Sequence, residues 1–183
     1  GALVGDDRVF DGVCLQYGVV RVHAIEELLA TAEIAGRSGA LRKGGLGVVS
    51  NSGGICEIAA DTAAAWGIEL PALTPEAAAG LRETIPGFAT PHNPLDLTGA
   101  ITPEQCGRVV EIVGGQPDIT LLLCPYYEVP TSPDDVNDRL SALHAALARS
   151  LNAAAVPGFV VSYTATHQSA LSRDIVAGIG PPY

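Results

Sequence analysis

Residues 46–61, Leu-Gly-Val-Val-Ser-Asn-Ser-Gly-Gly-Ile-Cys-Glu-Ile-Ala-Ala-Asp, constrain this chain more than any other stretch. The run from Leu46 to Val49 suits a strand covered on both faces. Asn51, Ser52, Gly53 and Gly54 supply capping oxygens and two residues without a Cβ, so the backbone can turn sharply and be approached closely. Beyond them Ile55, Ile58, Ala59, Thr62, Ala63 and Trp66 recur at helical spacing, which predicts a helix with that stripe inward. Such a turn aims free backbone N–H groups and the positive end of a helix dipole at one point, a place suited to an anion and above all to phosphate. The plainer reading is a strand–helix corner in which glycine only permits close packing.

Bulk properties narrow the function. At 183 residues the chain can bury a sizeable core, and 48% apolar against 16% charged residues describe a packed chain. A formal net charge of -10 argues against nonspecific binding to nucleic acid or to an anionic membrane, since both need a basic patch. No apolar run approaches a membrane span, and no basic-then-apolar leader is present. Cys14, Cys56, Cys106 and Cys124 stand far apart without a C-x-x-C pair, which fits buried free thiols in a cytoplasmic protein and not a zinc site. The absence of Met and the Gly-Ala-Leu opening suggest a piece of a longer polypeptide.

In chain order, residues 5–17 read as a lead-in helix stopped by Gly18, with Asp6 and Asp7 near its start. A β-branched strand is expected at 19–22, then a helix at 24–35 with Ile25, Leu28, Leu29 and Ala32 inward, and a Gly-rich connector to Gly45. After the turn, 68–70 can form a short strand. Thr74-Pro75-Glu76 and Thr102-Pro103-Glu104 each carry a helix-start signal of cap, proline and acid. Leu81 and Ile85 face inward on the first helix; Cys106, Val109, Val110 and Val113 do so on the second. Residues 89–100 hold too much proline for a central strand. Residues 119–124 are a strong buried strand, 132–150 a long helix carrying Leu143, Leu147 and Leu151, 156–163 the last strand and 168–177 the last helix. This alternation predicts an α/β fold: a doubly wound, mainly parallel, flavodoxin-like sheet with helices on both faces. The expected division is a lead-in at 1–17 and one flavodoxin-like domain at 18–183.

Several side chains invite chemistry. Ser50 and Ser52 sit on a strand–turn–helix, but S-N-S-G-G is not the G-x-S-x-G of a nucleophile elbow. His23 and His144 fall at helical positions and read as surface or packing residues, whereas His92 and His167 lie in loops. Asp96 stands alone between apolar residues, where a carboxylate needs backbone N–H groups, a hydroxyl or a ligand. Glu57 and Asp61, one helical turn apart, point outward.

In order and spacing, S-N-S-G-G, the helix with A-A-D, G-I-E-L-P-A-L-T-P-E and P-H-N-P-L-D-L-T-G resemble the NDP-forming acyl-CoA synthetases, the ADP-forming acetate–CoA ligase type, themselves similar to succinyl-CoA ligases. The resemblance runs from Gly1 to about Cys124 and identifies the second flavodoxin-like domain of that family's CoA-ligase part. It implies that Asn51, Ser52, Gly53 and Gly54 cradle phosphate carried on a histidine, with Asn93, Asp96, Thr98 and Gly99 supporting them at the same edge. Because the family places a histidine–threonine pair just before a G-A-L-x-G like the one at Gly1, the resemblance puts the catalytic histidine before this sequence and leaves the fragment inactive alone. It implies CoA, ATP or ADP and Mg for the full-length enzyme, none held tightly by this domain, with CoA-binding and ATP-grasp domains as partners in the same protein or a partner subunit. Ile55-Cys56 replace the Pro-Gly common in the family, a variant that resembles members acting on larger or aromatic acids. The alternative is a noncatalytic regulatory domain like those coupled to a lysine acetyltransferase, and flavin binding by the fold is a weaker third.

Overall fold

The computed structural model describes residues 5–98, 101–126 and 134–162. The chain separates into two compact units, Gly1–Ala40 and Leu41–Tyr183. The lead-in helix lies in the first of these units, and the strands of the sheet lie in the second.

In the first unit, helix α1 spans Asp7–Tyr17. The Asp6 carboxylate caps it by accepting the Arg8 N–H at 2.9 Å, and Gly18 ends it at φ 66, with its own N–H turned back to the Cys14 and Leu15 carbonyls. Arg21 pairs with Asp7 and Asp11, and its guanidinium lies 5.1 Å from the centre of the Phe10 ring. The strand expected at 19–22 does not form. Val19 instead donates to Cys14 O at 2.8 Å as part of the helix stop, and no strand among the described residues of this unit offers a ladder. Helix α2, Ile25–Ser38, runs three residues beyond its expected end. Its expected inward residues Ile25, Leu28, Leu29 and Ala32 are exposed, and of the described residues in this unit only Cys14 is buried.

The second unit carries a parallel four-stranded sheet, β1 (Gly45–Ser50), β2 (Leu95–Asp96), β3 (Ile119–Tyr126) and β4 (Gly158–Ser162), in the order β2-β1-β3-β4. The helices between them are α3 (Gly53–Trp66), α4 (Pro75–Thr84), α5 (Pro103–Gly114) and α6 (Asp134–Ala153). The doubly wound layout is as expected, and its order reverses direction between β1 and β3. That reversal opens a crevice beyond the carboxyl ends of the strands. The main core joins Val49, Leu95 and Leu122 of the sheet to Leu81 of α4, Cys106, Val109, Val110 and Val113 of α5, and Leu143, Leu147 and Leu151 of α6.

Both helix-start signals are realised: Thr74 accepts the Ala77 N–H at 3.2 Å, and Thr102 with Gln105 forms a capping box. The segment at 68–70 is not a strand; it makes one ladder-like bond, Leu46 N–H to Glu69 O at 2.9 Å, before Pro71 removes the next donor. The proline-rich stretch yields the two-residue edge strand β2, a place where proline is tolerated. The cap expected at Ser132-Pro133 and the last helix expected at 168–177 lie outside the described residues.

Glycine decides how closely the β1 entrance packs. A Cβ on Gly45 would stand 2.5 Å from Glu69 O and 2.5 Å from Pro71 Cδ, both held by backbone. Gly45→Ala is therefore expected to cost about 1–3 kcal/mol of stability in urea unfolding. An unchanged midpoint would show that this entrance has slack.

Candidate functional site

The site grows from the carboxyl end of β1. Ser50 is fully buried, its hydroxyl donates to Pro125 O at 2.8 Å, and its carbonyl accepts the Leu97 N–H at 2.8 Å. The last residue of β1 is thus held from β3 on one side and from β2 on the other. With no solvent access and its hydroxyl turned to a backbone carbonyl, Ser50 is not placed to attack a substrate.

Asn51 and Ser52 then turn the chain into α3. Ser52 is the N-cap by backbone geometry, yet its side chain makes no cap bond. The first intrahelical bond runs from Cys56 N–H to Ser52 O at 3.0 Å, so the N–H groups of Gly53, Gly54 and Ile55 have no acceptor among the described residues. That sets α3 apart from α4 and α5, whose threonine caps use such donors internally. Three convergent N–H groups at the positive end of a 14-residue helix form an anion site in the electrostatic sense.

The β2 residues close the rim. Asp96 sits opposite Ser50 in the ladder. One of its oxygens, Oδ1, accepts the Thr98 N–H at 2.8 Å. The other, Oδ2, lies 2.9 Å from where a Cβ on Gly53 would stand. Any side chain at Gly53 would press on the carboxylate, whereas a Cβ on Gly54 meets nothing within 4 Å. Thr98 adopts φ 50, a conformation uncommon for a β-branched residue. The side-chain oxygens Asn51 Oδ1 and Thr98 Oγ1 are buried with no hydrogen-bond partner among the described residues, as unusual a state in a folded protein as the Thr98 backbone. Asn51, Ser52, Gly53, Gly54, Asp96 and Thr98 therefore come together at one edge. Gly99 lies outside the described residues.

Asn93 is placed differently. Its Oδ1 accepts the Val48 N–H at 2.9 Å, and its amide donates to Leu46 O at 2.9 Å and Pro71 O at 3.1 Å. These contacts lie toward the amino end of β1, so Asn93 acts as a staple that continues the β1–β2 pairing and not as a rim residue. His92 is exposed, His144 is fully buried on α6, and Glu57 and Asp61 face outward as expected; His167 lies outside the described residues.

The inward stripe of α3 departs from the sequence expectation. Cys56 and Ala63 are buried, while Ile58 is 61% and Trp66 78% exposed. Small side chains let the helix approach β1 and β2, and the large ones turn away. Burial, reinforced by the Asp96 charge and partly offset by a hydrogen bond from the Ser50 backbone, pushes the Cys56 thiol up to about 11. Burial pushes Cys106 up to about 12 and Cys124 higher still. Raised values mean a smaller thiolate fraction at neutral pH, hence inert thiols. Among the described residues no group of His, Cys, Asp and Glu is placed to hold a metal ion, and no helix is long and apolar enough to cross a membrane.

Comparison with known proteins bears on the family and the fold. The Ligase-CoA domain family profile matches residues 46–169. The chain is 27% identical over 104 residues to an ADP-forming acetate–CoA ligase of Methanocaldococcus jannaschii, covering 57% of this chain and 15% of that protein. It is 33% identical over 112 residues to a trans-feruloyl-CoA synthase from an unknown prokaryotic organism, covering 60% and 16%. A solved acetyl-coenzyme A synthetase of Ca. Korarchaeum cryptofilum, in complex with phosphate and ADP, superposes with a TM-score of 0.74 at 19% identity, over 98% of this chain and 37% of that one. The chain thus spans about a sixth of the curated relatives' length.

Two outcomes follow. Asn93→Ala removes three hydrogen bonds and strands backbone groups of β1, so urea unfolding is expected to lose about 2–4 kcal/mol; a loss below about 0.5 kcal/mol would mean that water replaces the amide. Of the four cysteines, Cys56, Cys106 and Cys124 are expected to resist a water-soluble thiol reagent at pH 7 until urea unfolds the chain. Rapid labelling of Cys56 in the folded protein would contradict the burial argument.

Proposed function

This chain belongs to the Ligase-CoA domain family, and we propose that it serves as a domain of an NDP-forming acyl-CoA synthetase, where the N-terminus of α3 cradles a phosphoryl group carried on a histidine. The observation that carries this reading is the uncapped first turn of α3, with the N–H groups of Gly53, Gly54 and Ile55 unclaimed at the sheet's switch point. In the proposed reaction an acid, CoA and a nucleoside triphosphate give acyl-CoA, the diphosphate and phosphate, with phosphohistidine between the two half-reactions.

The domain's part in that scheme is electrostatic. Fixed N–H dipoles stabilise charge without having to reorganise as the phosphoryl group arrives and leaves. The buried Thr98 hydroxyl would donate to a phosphoryl oxygen, whereas Asn51 could do so only through its amide N–H groups and not through Oδ1. Asp96 and Thr98 hold the rim, and Asn93 holds the strand behind it. CoA, ATP or ADP and Mg2+ are assigned to CoA-binding and ATP-grasp domains, of the same protein or a partner subunit, that complete the enzyme. The small share of each relative that this chain spans supports a need for such partners. The catalytic histidine is likewise assigned to a segment outside residues 1–183, so this chain alone is expected to be inactive.

Gly54 gives the cleanest test, because space is open around it. Gly54→Asp places a carboxylate in the first turn of α3, where it favours the helix but competes with any bound anion. The melting temperature is expected to hold or rise slightly. In the synthetase that carries this domain, turnover is expected to fall at least about 100-fold, the scale of losing one oxyanion donor. Turnover within a factor of two of the parent would remove the cradle role.

A further inference from the structure

We propose that Asp96 is a positioning residue that makes the α3 cradle select a phosphoryl group borne on an imidazole over free inorganic phosphate. The inference rests on the phosphohistidine reading above and adds what decides between two anions of similar charge.

A carboxylate beside an anion site is a liability unless the incoming group brings something for it. Asp96 cannot easily move away. Its backbone is laddered against Ser50, the next residue bonds Ser50 O at 2.8 Å, and its Oδ1 is committed to the Thr98 N–H at 2.8 Å. Its Oδ2 accepts no hydrogen bond among the described residues and leans over Gly53, 2.9 Å from the position of an added Cβ. Among the described residues the side chain makes no hydrogen bond to the first-turn N–H groups of α3. Oδ2 is therefore a fixed acceptor standing next to three fixed donors. The oxygens Asn51 Oδ1 and Thr98 Oγ1, buried atoms of partly buried residues, are an independent sign of an unfilled polar position here, since neither has a partner among the described residues.

Inorganic phosphate satisfies the donors but meets the Asp96 charge with a charge of the same sign. A phosphoryl group on one imidazole nitrogen presents its oxygens to the Gly53, Gly54 and Ile55 N–H groups in the same way. The other ring nitrogen, once protonated, is a cationic N–H donor of the kind Oδ2 lacks. One ligand thus meets both halves of the rim. The same pairing fixes the rotation of the ring about its bond to phosphorus, which a bare anion site leaves free. Gly53 belongs to this device, because any side chain there would displace the carboxylate.

The test is a 31P NMR titration of the 183-residue chain with N-phosphoimidazole and, separately, with inorganic phosphate, for the parent and for Asp96→Asn. Asparagine keeps an oxygen for the Thr98 N–H, and a thermal melt reports whether the fold is retained. The parent is expected to bind N-phosphoimidazole at least tenfold more tightly than phosphate. Asp96→Asn is expected to weaken the first and tighten the second, two changes of opposite sign that a purely structural staple would not produce. Binding of both probes with equal affinity by the parent overturns the role of Asp96 and leaves the cradle standing, as does a shift of both affinities in one direction in a folded Asp96→Asn. Binding of neither probe by the parent overturns the cradle itself. The parent's ratio decides the question even where the variant does not fold.

Discussion

The carbonyl and hydroxyl of Ser50 hold together everything that converges at this edge. The carbonyl accepts a hydrogen bond from the Leu97 N–H and the hydroxyl donates one to Pro125 O, each at 2.8 Å, in a position with no solvent access. A buried polar group satisfied on both sides is costly to disturb. The end of β1 is thereby clamped between its two neighbours at the point where strand order reverses. The direction of α3 follows, since only Asn51 and Ser52 separate the clamp from the first helical residue. The position of Asp96 follows as well, because it pairs with Ser50 in the same ladder.

Helix ends elsewhere in the chain show what is particular about α3. Where a start only has to be stable, threonine supplies the cap and proline fixes the first residue, as in α4 and α5. At α3 a cap residue is present without a cap bond, and two glycines follow it. Leaving out such a cap costs on the order of 1 kcal/mol. Unpaired oxygens on Asn51 and Thr98 and a left-handed Thr98 add to the local strain. Local features that lower stability and cluster at one edge are understandable if they leave donors free for a ligand, a relation in which stability is exchanged for function.

Much of this was legible in the sequence, for physical reasons that differ by element. The strand at β1, the capped starts of α4 and α5 and the buried strand β3 follow from apolar runs and local capping chemistry, both encoded within a few residues. The grouping of Asn51 to Gly54 with Asp96 and Thr98 was reached through family resemblance, since nothing local says that residue 96 will lie beside residue 53. Two departures mark the limits of local patterns. Residues 19–22 have strand propensity, but among the described residues of their unit there is no strand to pair with. The helical spacing at α3 puts Ile58 and Trp66 on the inward stripe with Ala63, whereas close approach to the sheet buries Ala63 and Cys56 and leaves the two large residues exposed. The resemblance puts Asn93 near the same edge as Asp96; in the structure its side chain turns back along β1, where the Leu46 and Val48 backbone groups lack strand partners on that side.

The central claim is that the first turn of α3 is an anion site by virtue of its backbone. Its most direct measurement is a 15N–1H amide titration of this chain with inorganic phosphate, followed residue by residue. The account predicts that the Gly53, Gly54 and Ile55 amides shift together and saturate with one affinity, while the Ala77 and Gln105 amides, already bonded to the threonine caps of α4 and α5, do not. Shifts confined to other surfaces such as the Arg42–Lys43 segment, with the three α3 amides unmoved, would contradict it.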